Sequence, residues 1–442
     1  MSRPIAWPKT IIKIALSAMC LHAHASTLSD LFANAKTVDE AYLSAIANFE
    51  ANQEAVAQAV APLLPNISAS AQTMSNRLNK NEGAGSLPEQ NYKSNSRTLA
   101  LRQAIIRPAA WLQLKQASVQ TKGAHYELIR AENDLATRVA SAYLDILYAE
   151  AQLQAIDAQI EALSTQVKAS LLGFQQGYAT RVDIVDAQSR LEQAKVDQQQ
   201  VRSAKIFALE QLRIFTGNTP TSPFKATEKN NFRPQIQTQL AEWLERASER
   251  NADILIGQYR LEAVNQEVLK SYTGHLPTLD FVAQISNSNN ENIQFPATTF
   301  TNRQIGLQVN VPLFSGGSVL SSSRQAAAMA QKEERSLNAS ISNIRLQVTK
   351  EYNNFNDGME RVKASQTTLA AAQEVLTSMR KNQAAGYKTQ IDVLNALQRA
   401  TASEKDLALA QYQCLLGLLK LNLLSGESAD QAIREIEKIL RN

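Results

Sequence analysis

The most constraining feature of this 442-residue sequence is an internal repeat that recurs after 209 positions. The segment 177–187, Gly-Tyr-Ala-Thr-Arg-Val-Asp-Ile-Val-Asp-Ala, returns at 386–396 as Gly-Tyr-Lys-Thr-Gln-Ile-Asp-Val-Leu-Asn-Ala. The tripeptide 215–217, Phe-Thr-Gly, returns at the same spacing as Leu-Ser-Gly at 424–426. Self-similarity at a fixed period is typical of a repeated structural unit. We therefore interpret the chain as a tandem duplication of about 210 residues.

The first 25 residues have the three-part pattern of a secretory signal peptide. Arg3 and Lys9 give a positively charged start, a short apolar stretch follows at 11–20, and Ala-His-Ala at 23–25 supplies the small residues before a cleavage site. A buried first helix is the alternative interpretation. Lipidation of Cys20 is disfavoured, because the preceding Met19 is large where lipoprotein processing needs a small residue.

Composition excludes two broad classes. A mean hydropathy of −0.27 and an aromatic content of 6% do not fit a polytopic helical membrane protein. The chain has 45 basic and 41 acidic residues, and three of the basic residues lie in the signal segment. Without that segment the balance is 42 to 41, so the charge gives no reason to expect a nucleic-acid partner.

Two long segments without proline, 109–219 and 313–442, predict long helices. In the first, apolar residues step by four and three as in a coiled coil. A helix over 109–172 would be about 96 Å long at 1.5 Å per residue. The surface between the seam positions is too polar for lipid, so this helix is expected to project into water. The seam consists of Leu135, Val139, Ala142, Ile146, Ala149, Leu153, Ile156, Ile160, Leu163 and Val167.

Four segments alternate between apolar and polar residues and are predicted to be strands: 66–77, 95–107, 278–287 and 302–314. Alternation over about ten residues is typical of a membrane-spanning barrel strand, and a soluble hairpin with one wet face is the alternative. Four strands cannot close a membrane barrel, and open sheet edges cannot face lipid. The sequence therefore predicts an oligomer, and a trimer would supply twelve strands.

These predictions divide the chain into five parts. After the signal peptide at 1–25, the first repeat covers 26–217 and the second covers 238–426. Each repeat is expected to contain a helix, two strands, a long helix and a further helix. A linker at 218–237 separates the repeats, and a terminal segment at 427–442 follows the second.

The duplicated half, the four strands and the projecting helices together resemble the TolC-type outer-membrane efflux protein family. The residues that carry the resemblance recur in order in the two halves. They are Leu-Pro before the first strand of each half at 64–65 and 276–277, Val-Pro-Leu-Phe-Ser-Gly-Gly at 311–317, the paired Gly-Tyr…Asp turns, and Leu-Asn-Leu-Leu-Ser-Gly at 421–426.

The resemblance implies a mainly α fold with a transmembrane β-barrel. A homotrimer would complete a 12-stranded barrel in the outer membrane of a Gram-negative bacterium. A long α-helical barrel would cross the periplasm, with the segments 218–238 and 427–442 forming an equatorial belt around it. Docking of a periplasmic adaptor and an inner-membrane pump, of the ABC or another type, would open this passive duct for a secreted polypeptide, for small toxic molecules, or for both.

The turns between the long helices are the candidate periplasmic gate. Asp183 and Asp186 are three residues apart and share one helix face, and Asp392 and Asn395 hold the matching positions. The resemblance implies two acids at the second turn that line a constriction. Asp392 matches the first of these, whereas Asn395 replaces the second. Three copies of Asp392 around an axis would favour cations, and the alternative is that these acids simply begin a helix.

Three more residues complete the gate prediction. Tyr178 and Tyr387 each follow a turn glycine and are candidates for hydrogen bonds that hold neighbouring helices closed. Arg181 is a candidate for ion pairs with acids of an adjacent hairpin.

No enzyme, cofactor or metal site is predicted, because His125 and His275 are isolated and Gly316-Gly317 lacks the Lys-Ser/Thr of a phosphate loop. The alternative function is a periplasmic coiled-coil protein, similar to an adaptor, that has no channel.

Overall fold

The computed structural model describes residues 27–78, 90–217, 232, 238–292 and 295–441. The predicted signal peptide and nearly all of the predicted linker lie outside this part of the chain.

The two halves fold into the same series of elements. The first half contains α1 (Leu28–Val38), α2 (Glu40–Val60), β1 (Asn66–Leu78), β2 (Gln90–Ile106), α3 (Pro108–Gln175) and α4 (Arg181–Thr216). The second contains α5 (Leu240–Arg250), α6 (Ala252–Tyr272), β3 (Thr278–Asn292), β4 (Phe295–Asn310), α7 (Ser318–Ala384) and α8 (Gln390–Leu424), and α9 (Ala429–Arg441) follows.

The long helices form two antiparallel hairpins, α3 with α4 and α7 with α8. Helices α3 and α7 have 68 and 67 residues, which is about 100 Å at 1.5 Å per residue. The predicted coiled-coil seam of α3 points inward, with Leu135, Val139 and Ile146 fully buried. By length and composition α8 could cross a membrane, but 72% of its most apolar stretch is buried inside the protein. It is therefore packed as a core helix.

The four strands form one antiparallel sheet in the order β1-β2-β3-β4. Residues that face each other across the ladder point to the same side, and Ile67, Leu101, Ala283 and Ile305 lie in one such row. In the part of the sheet nearest the helices, the register therefore places most apolar residues of the four strands on one face and most polar residues on the other. This confirms the predicted fold class of a mainly helical chain with four antiparallel strands. The apolar face comprises Ile67, Ala69, Leu99, Leu101, Phe281, Ala283, Ile285, Ile305, Leu307 and Val309.

The strands differ in extent from the predicted segments. Strand β2 begins at Gln90 rather than 95, and β3 and β4 extend through most of the polar stretch 287–302 between the two predicted segments. The reason is that these Asn, Ser and Thr residues pair their backbones across the hairpin, as Asn287 does with Thr301. Strand β4 ends at Asn310 rather than 314, just before Pro312, which has no N–H to donate to a ladder.

The single helix expected before each strand pair is in fact two helices. Asp39 and Asn251 have extended backbones, and each caps the following helix with its side chain. Asp39 accepts a hydrogen bond from the Tyr42 N–H at 2.9 Å, and both of its oxygens bind the Arg138 guanidinium at 2.8 and 3.1 Å. The Arg138 hydrogen bond is the main reason that the pKa of Asp39 lies below its usual value.

The largest apolar core lies midway along the helices, where α1 and α9 pack on α3, α4 and α8. Phe232, the one described residue of the predicted linker segment 218–237, belongs to this core and is 4% exposed. The predicted terminal segment is helical as α9 and is tied to α1 by the ion pair of Lys36 and Asp430 at 2.7 Å. Cys414 is buried on α8, and burial raises the pKa of its thiol to about 12.

Candidate functional site: the tip of the helical hairpins

The two hairpins turn at corresponding positions at the end of the molecule farthest from the sheet. Gly177 and Gly386 have φ angles of 81° and 82°, a region that favours glycine because it has no Cβ. The following tyrosine N–H groups bind back to the preceding helix, from Tyr178 to the Gly173 carbonyl at 2.7 Å and from Tyr387 to the Asn382 carbonyl at 2.9 Å. The same turn is therefore built twice, as the repeat requires.

Asp183 and Asp392 each close a capping box at the start of the second helix of a hairpin. Asp183 accepts hydrogen bonds from the N–H of Thr180 at 2.8 Å and from its hydroxyl at 2.7 Å. Asp392 accepts the equivalent bonds from Thr389 at 3.0 and 2.9 Å. One oxygen of each carboxylate is therefore used locally, as the helix-start interpretation of these acids requires.

The caps also determine how these acids titrate. The pKa of Asp183 is lowered mainly by the Thr180 backbone hydrogen bond, and that of Asp392 mainly by the Thr389 hydroxyl. A lowered pKa means that the caps stabilise the turns above the ordinary carboxyl pKa and lose this effect as the pH falls through the lowered value. Both groups are therefore charged at neutral pH.

Arg190 joins the two hairpins. Its Nε donates to Asp186 Oδ2 on the same helix at 3.0 Å, and its Nη1 donates to Asn395 Oδ1 at 3.0 Å and Gln398 Oε1 at 3.3 Å on α8. Two predicted gate positions, Asp186 and Asn395, are thus brought together by an arginine that the sequence analysis did not select. The only sequence signal was its spacing of four residues from Asp186.

Gln390 makes a second link between the hairpins. Its Nε2 lies within hydrogen-bond distance of Ser170 Oγ and donates to the Gln166 carbonyl at 3.4 Å, which joins the start of α8 to the end of α3. Farther from the turns, apolar residues of α3, α4 and α8 close the space between the hairpins. They are Leu163, Ala187, Ala194, Leu394 and Leu397.

The other predicted gate residues are at the surface. The Tyr178 and Tyr387 side chains are 88% and 82% exposed, and neither forms a hydrogen bond with the described part of the chain. Arg181 is exposed and has no ion pair there either. Within one chain it is Arg190 that joins the hairpins, through the amide oxygens of Asn395 and Gln398 rather than through an ion pair. The roles of the tyrosines and of Arg181 between chains stay predictions.

A second polar cluster lies where the sheet meets the helices. The Asp280 carboxylate on β3, with a side chain only 2% exposed, accepts hydrogen bonds from Arg102 Nε on β2 and Arg107 Nη2 just before α3, each at 2.9 Å. The buried Asp280 carboxylate thus connects β3 to β2 and to Arg107, the residue directly before α3. The sequence analysis did not identify this cluster, because its members are 173 and 178 positions apart.

The described residues contain no group of three or more side chains that could hold a metal ion. His125 is exposed and lies beside the rings of Phe49 and Tyr126, with ring centroids 5.6 and 5.5 Å away.

Comparison with known proteins shows the same duplication. A family model described as outer membrane efflux protein matches the chain twice, at residues 33–218 and 243–427. The proteases secretion protein PrtF of Dickeya chrysanthemi is 26% identical and is aligned over 79% of this chain and 76% of its own. The outer membrane protein TolC of Vibrio cholerae is 24% identical over 97% of each chain. Among solved structures, the outer membrane protein VceC of Vibrio cholerae has a TM-score of 0.76 and 17% identity, covering 91% of this chain and 96% of that one.

Proposed function

Because this chain belongs to the outer membrane efflux protein family, it is an outer-membrane channel with a periplasmic helical domain, and we propose that the cargo of the channel is a secreted polypeptide. The observation that best supports a membrane channel is the register of the sheet. It collects large apolar side chains on one face, and Ile305 on β4 is 79% exposed in the single chain. A face of this kind suits lipid, as in a membrane barrel. A periplasmic coiled-coil protein would have no use for it.

A polypeptide cargo is supported by the relative PrtF, whose name describes the secretion of proteases. Small-molecule efflux is the competing cargo. The polar face of the sheet suits both kinds of cargo, since it is polar with few charges. Its polar residues include Ser68, Gln72, Gln284, Gln304 and Gln308.

The cargo proposal is tested by the proteome of the culture medium of a deletion strain. We expect one or a few large proteins to disappear from the medium without release of cytoplasmic proteins, and a plasmid copy of the gene to restore them. An unchanged medium together with increased sensitivity to toxic compounds would contradict a polypeptide cargo and favour small-molecule efflux.

Proteins of this family form trimers and act with a periplasmic adaptor and an inner-membrane pump. For this chain, the trimer is supported by the two open edges, β1 and β4, since unpaired edge groups are costly in lipid. Three chains would pair each β4 with the β1 of the next chain and close a barrel of twelve strands. The specific adaptor and pump are to be identified by cross-linking at the exposed tip residues Tyr178 and Tyr387.

The gate is proposed to lie at the helical tip, where Arg190 and Gln390 join the hairpins. A docked adaptor that binds separated hairpins more tightly would break these links and shift the population to an open state. The repeat offset of 209 places Arg399 on α8 at the position that corresponds to Arg190 on α4. Arg399 is exposed and has no partner in the described part of its own chain. We infer that it binds Asp186 of the partner subunit and so repeats the link between chains.

A ring of three Asp392 carboxylates is proposed to line the constriction. One oxygen of Asp392 binds Thr389, which leaves the other oxygen for a cation in the lumen. We expect Asp392→Ala to weaken the block of single-channel conductance by divalent cations in planar bilayers, because the charge ring is removed. Thr389→Ala, which removes the hydroxyl of the cap but keeps the carboxylate, is the control and should leave the block unchanged. Equal block in the wild type and Asp392→Ala would place the constriction elsewhere.

A further inference from the structure

Four basic residues lie on one face of the sheet, toward the hairpin ends, and their placement is independent of the helical tip. The register places Arg77 on β1, Lys93 and Arg97 on β2 and Arg303 on β4 on the same face as the apolar residues. We name Lys93, Arg97 and Arg303 the distal belt, because they lie toward the hairpin ends and away from the helices. All three are exposed, and none has a salt bridge to the part of the chain that the structure describes.

Every charged side chain that the structure describes on this face of the strands is basic. Among the side chains described for the four strands, Asp280 is the one acid, and it points to the opposite face, where it binds Arg102. Arg97 faces Ala71 and Asn287 across the ladder, and Arg303 faces Ile285. Across the ladder, Arg97 and Arg303 therefore have neutral neighbours, and no acid among the described side chains of this face balances their charge.

The belt begins where the apolar face ends. Leu313 and Phe314, just after β4, are 90% and 86% exposed, and Trp111 in the first turn of α3 is 60% exposed. These residues mark the lower edge of the apolar surface. Arg303 lies ten residues above Leu313, which is about 26 Å for extended chain tilted by about 40°. The lipid-facing band of an outer-membrane barrel is about 25 Å tall, so Arg303 lies at the level of the outer headgroups. Through Ile285, Arg303 is level with Leu99, and Arg97 and Lys93 follow two and six residues farther from the helices.

From this position and charge, we propose that the distal belt binds the phosphate groups of the phosphorylated glycolipid in the outer leaflet. Guanidinium groups bind phosphate through paired hydrogen bonds, and long basic side chains extend to the headgroups from an apolar surface. The proposal rests on the placement of the sheet in the outer membrane, but it needs neither a particular cargo nor the gate at the helical tip.

The test uses the full-length trimer purified in detergent and two probes, diphosphoryl lipid A and the same lipid without its phosphates. Bound lipid is counted by native mass spectrometry, and affinity is taken from the lipid-dependent rise in Tm. We expect the phosphorylated probe to bind at least about tenfold more tightly, and the triple variant Lys93→Gln, Arg97→Gln, Arg303→Gln to lose this preference.

Arg361→Gln is the matched control, since Arg361 is an exposed arginine on α7 about 65 Å along the helix from its start. It should bind both probes as the wild type does. Arg97→Lys, which keeps the charge, should retain most of the preference and shows that a substituted belt still folds. Equal binding of the two probes, or an unchanged preference in the triple variant, would overturn the proposal. So would equally tight binding of phosphatidylglycerol, which would indicate a generic anionic surface. The conductance of the triple variant is measured as well. Normal conductance would show that the channel forms even if the lipid-binding proposal is wrong.

Discussion

Arg190→Ala is expected to convert a channel that is mostly closed in planar bilayers into one that is mostly open. Arg190 donates two hydrogen bonds to α8 in each chain, so a trimer loses six bonds. The Asn395 bonds are part-buried and the Gln398 bonds are exposed, so at about 0.5–1 kcal/mol each the loss is about 3–6 kcal/mol. A two-state equilibrium moves from about 1:99 to 99:1 with about 5.5 kcal/mol, so the upper end of this range reverses such a resting state. The measurement is single-channel conductance together with the fraction of time spent open.

Arg202→Ala is the control for this prediction, because Arg202 is an exposed arginine on the same helix with no described partner. It should leave the conductance unchanged. Arg190→Lys should open the channel partly, since lysine keeps the charge but lacks the planar fork that reaches several acceptors at once. If the Arg190→Ala channel stays closed, the links within one chain are not needed to close the gate. The proposed links between chains, made by Arg399, would then be sufficient. In that case Arg399→Ala should open it.

Asp280→Ala is expected to remove most of the assembled trimer from the outer membrane. The substitution leaves the guanidinium groups of Arg102 and Arg107 without their carboxylate where the sheet meets α3. The Asp280 side chain is 2% exposed, whereas those of Arg102 and Arg107 are 55% and 31% exposed and stay partly solvated. The cost therefore lies between about 1 kcal/mol for an exposed pair and about 3–5 kcal/mol for a fully buried one. The measurement is the yield of trimers that resist mild detergent and dissociate on heating, with the midpoint of that dissociation.

Asp253→Ala is a matched control, because Asp253 forms an exposed pair with Arg130 at 3.5 Å. Exposed pairs contribute about 0–1 kcal/mol, so this variant should assemble normally. Asp280→Asn keeps the size of the side chain and one acceptor oxygen, and it should fall between the two. Normal assembly of Asp280→Ala would show that the arginines find other partners and that the cluster does not hold the sheet to the helices.

Whether the role of a residue could be predicted from the sequence depended on how far along the chain its partners lie. Asp183 and Asp392 were recognised as acids near helix starts, and both cap those starts, because a capping box needs only residues three apart. Arg190 was not recognised, because its partners on α8 are more than 200 positions away. The breaks at Asp39 and Asn251 were also missed, since the helical pattern continues on both sides of each.

The sequence by itself determined the duplication, the long helices, the presence of four strands and the two faces of the sheet. These follow from periods of two and of about 3.5 residues, which are local properties of a strand and of a coiled-coil helix. The tertiary structure decided which side chains meet: Arg190 with Asn395, Gln390 with Ser170, and Asp280 with two arginines. Such pairs depend on how separate helices and strands lie against each other, and no local period encodes that arrangement.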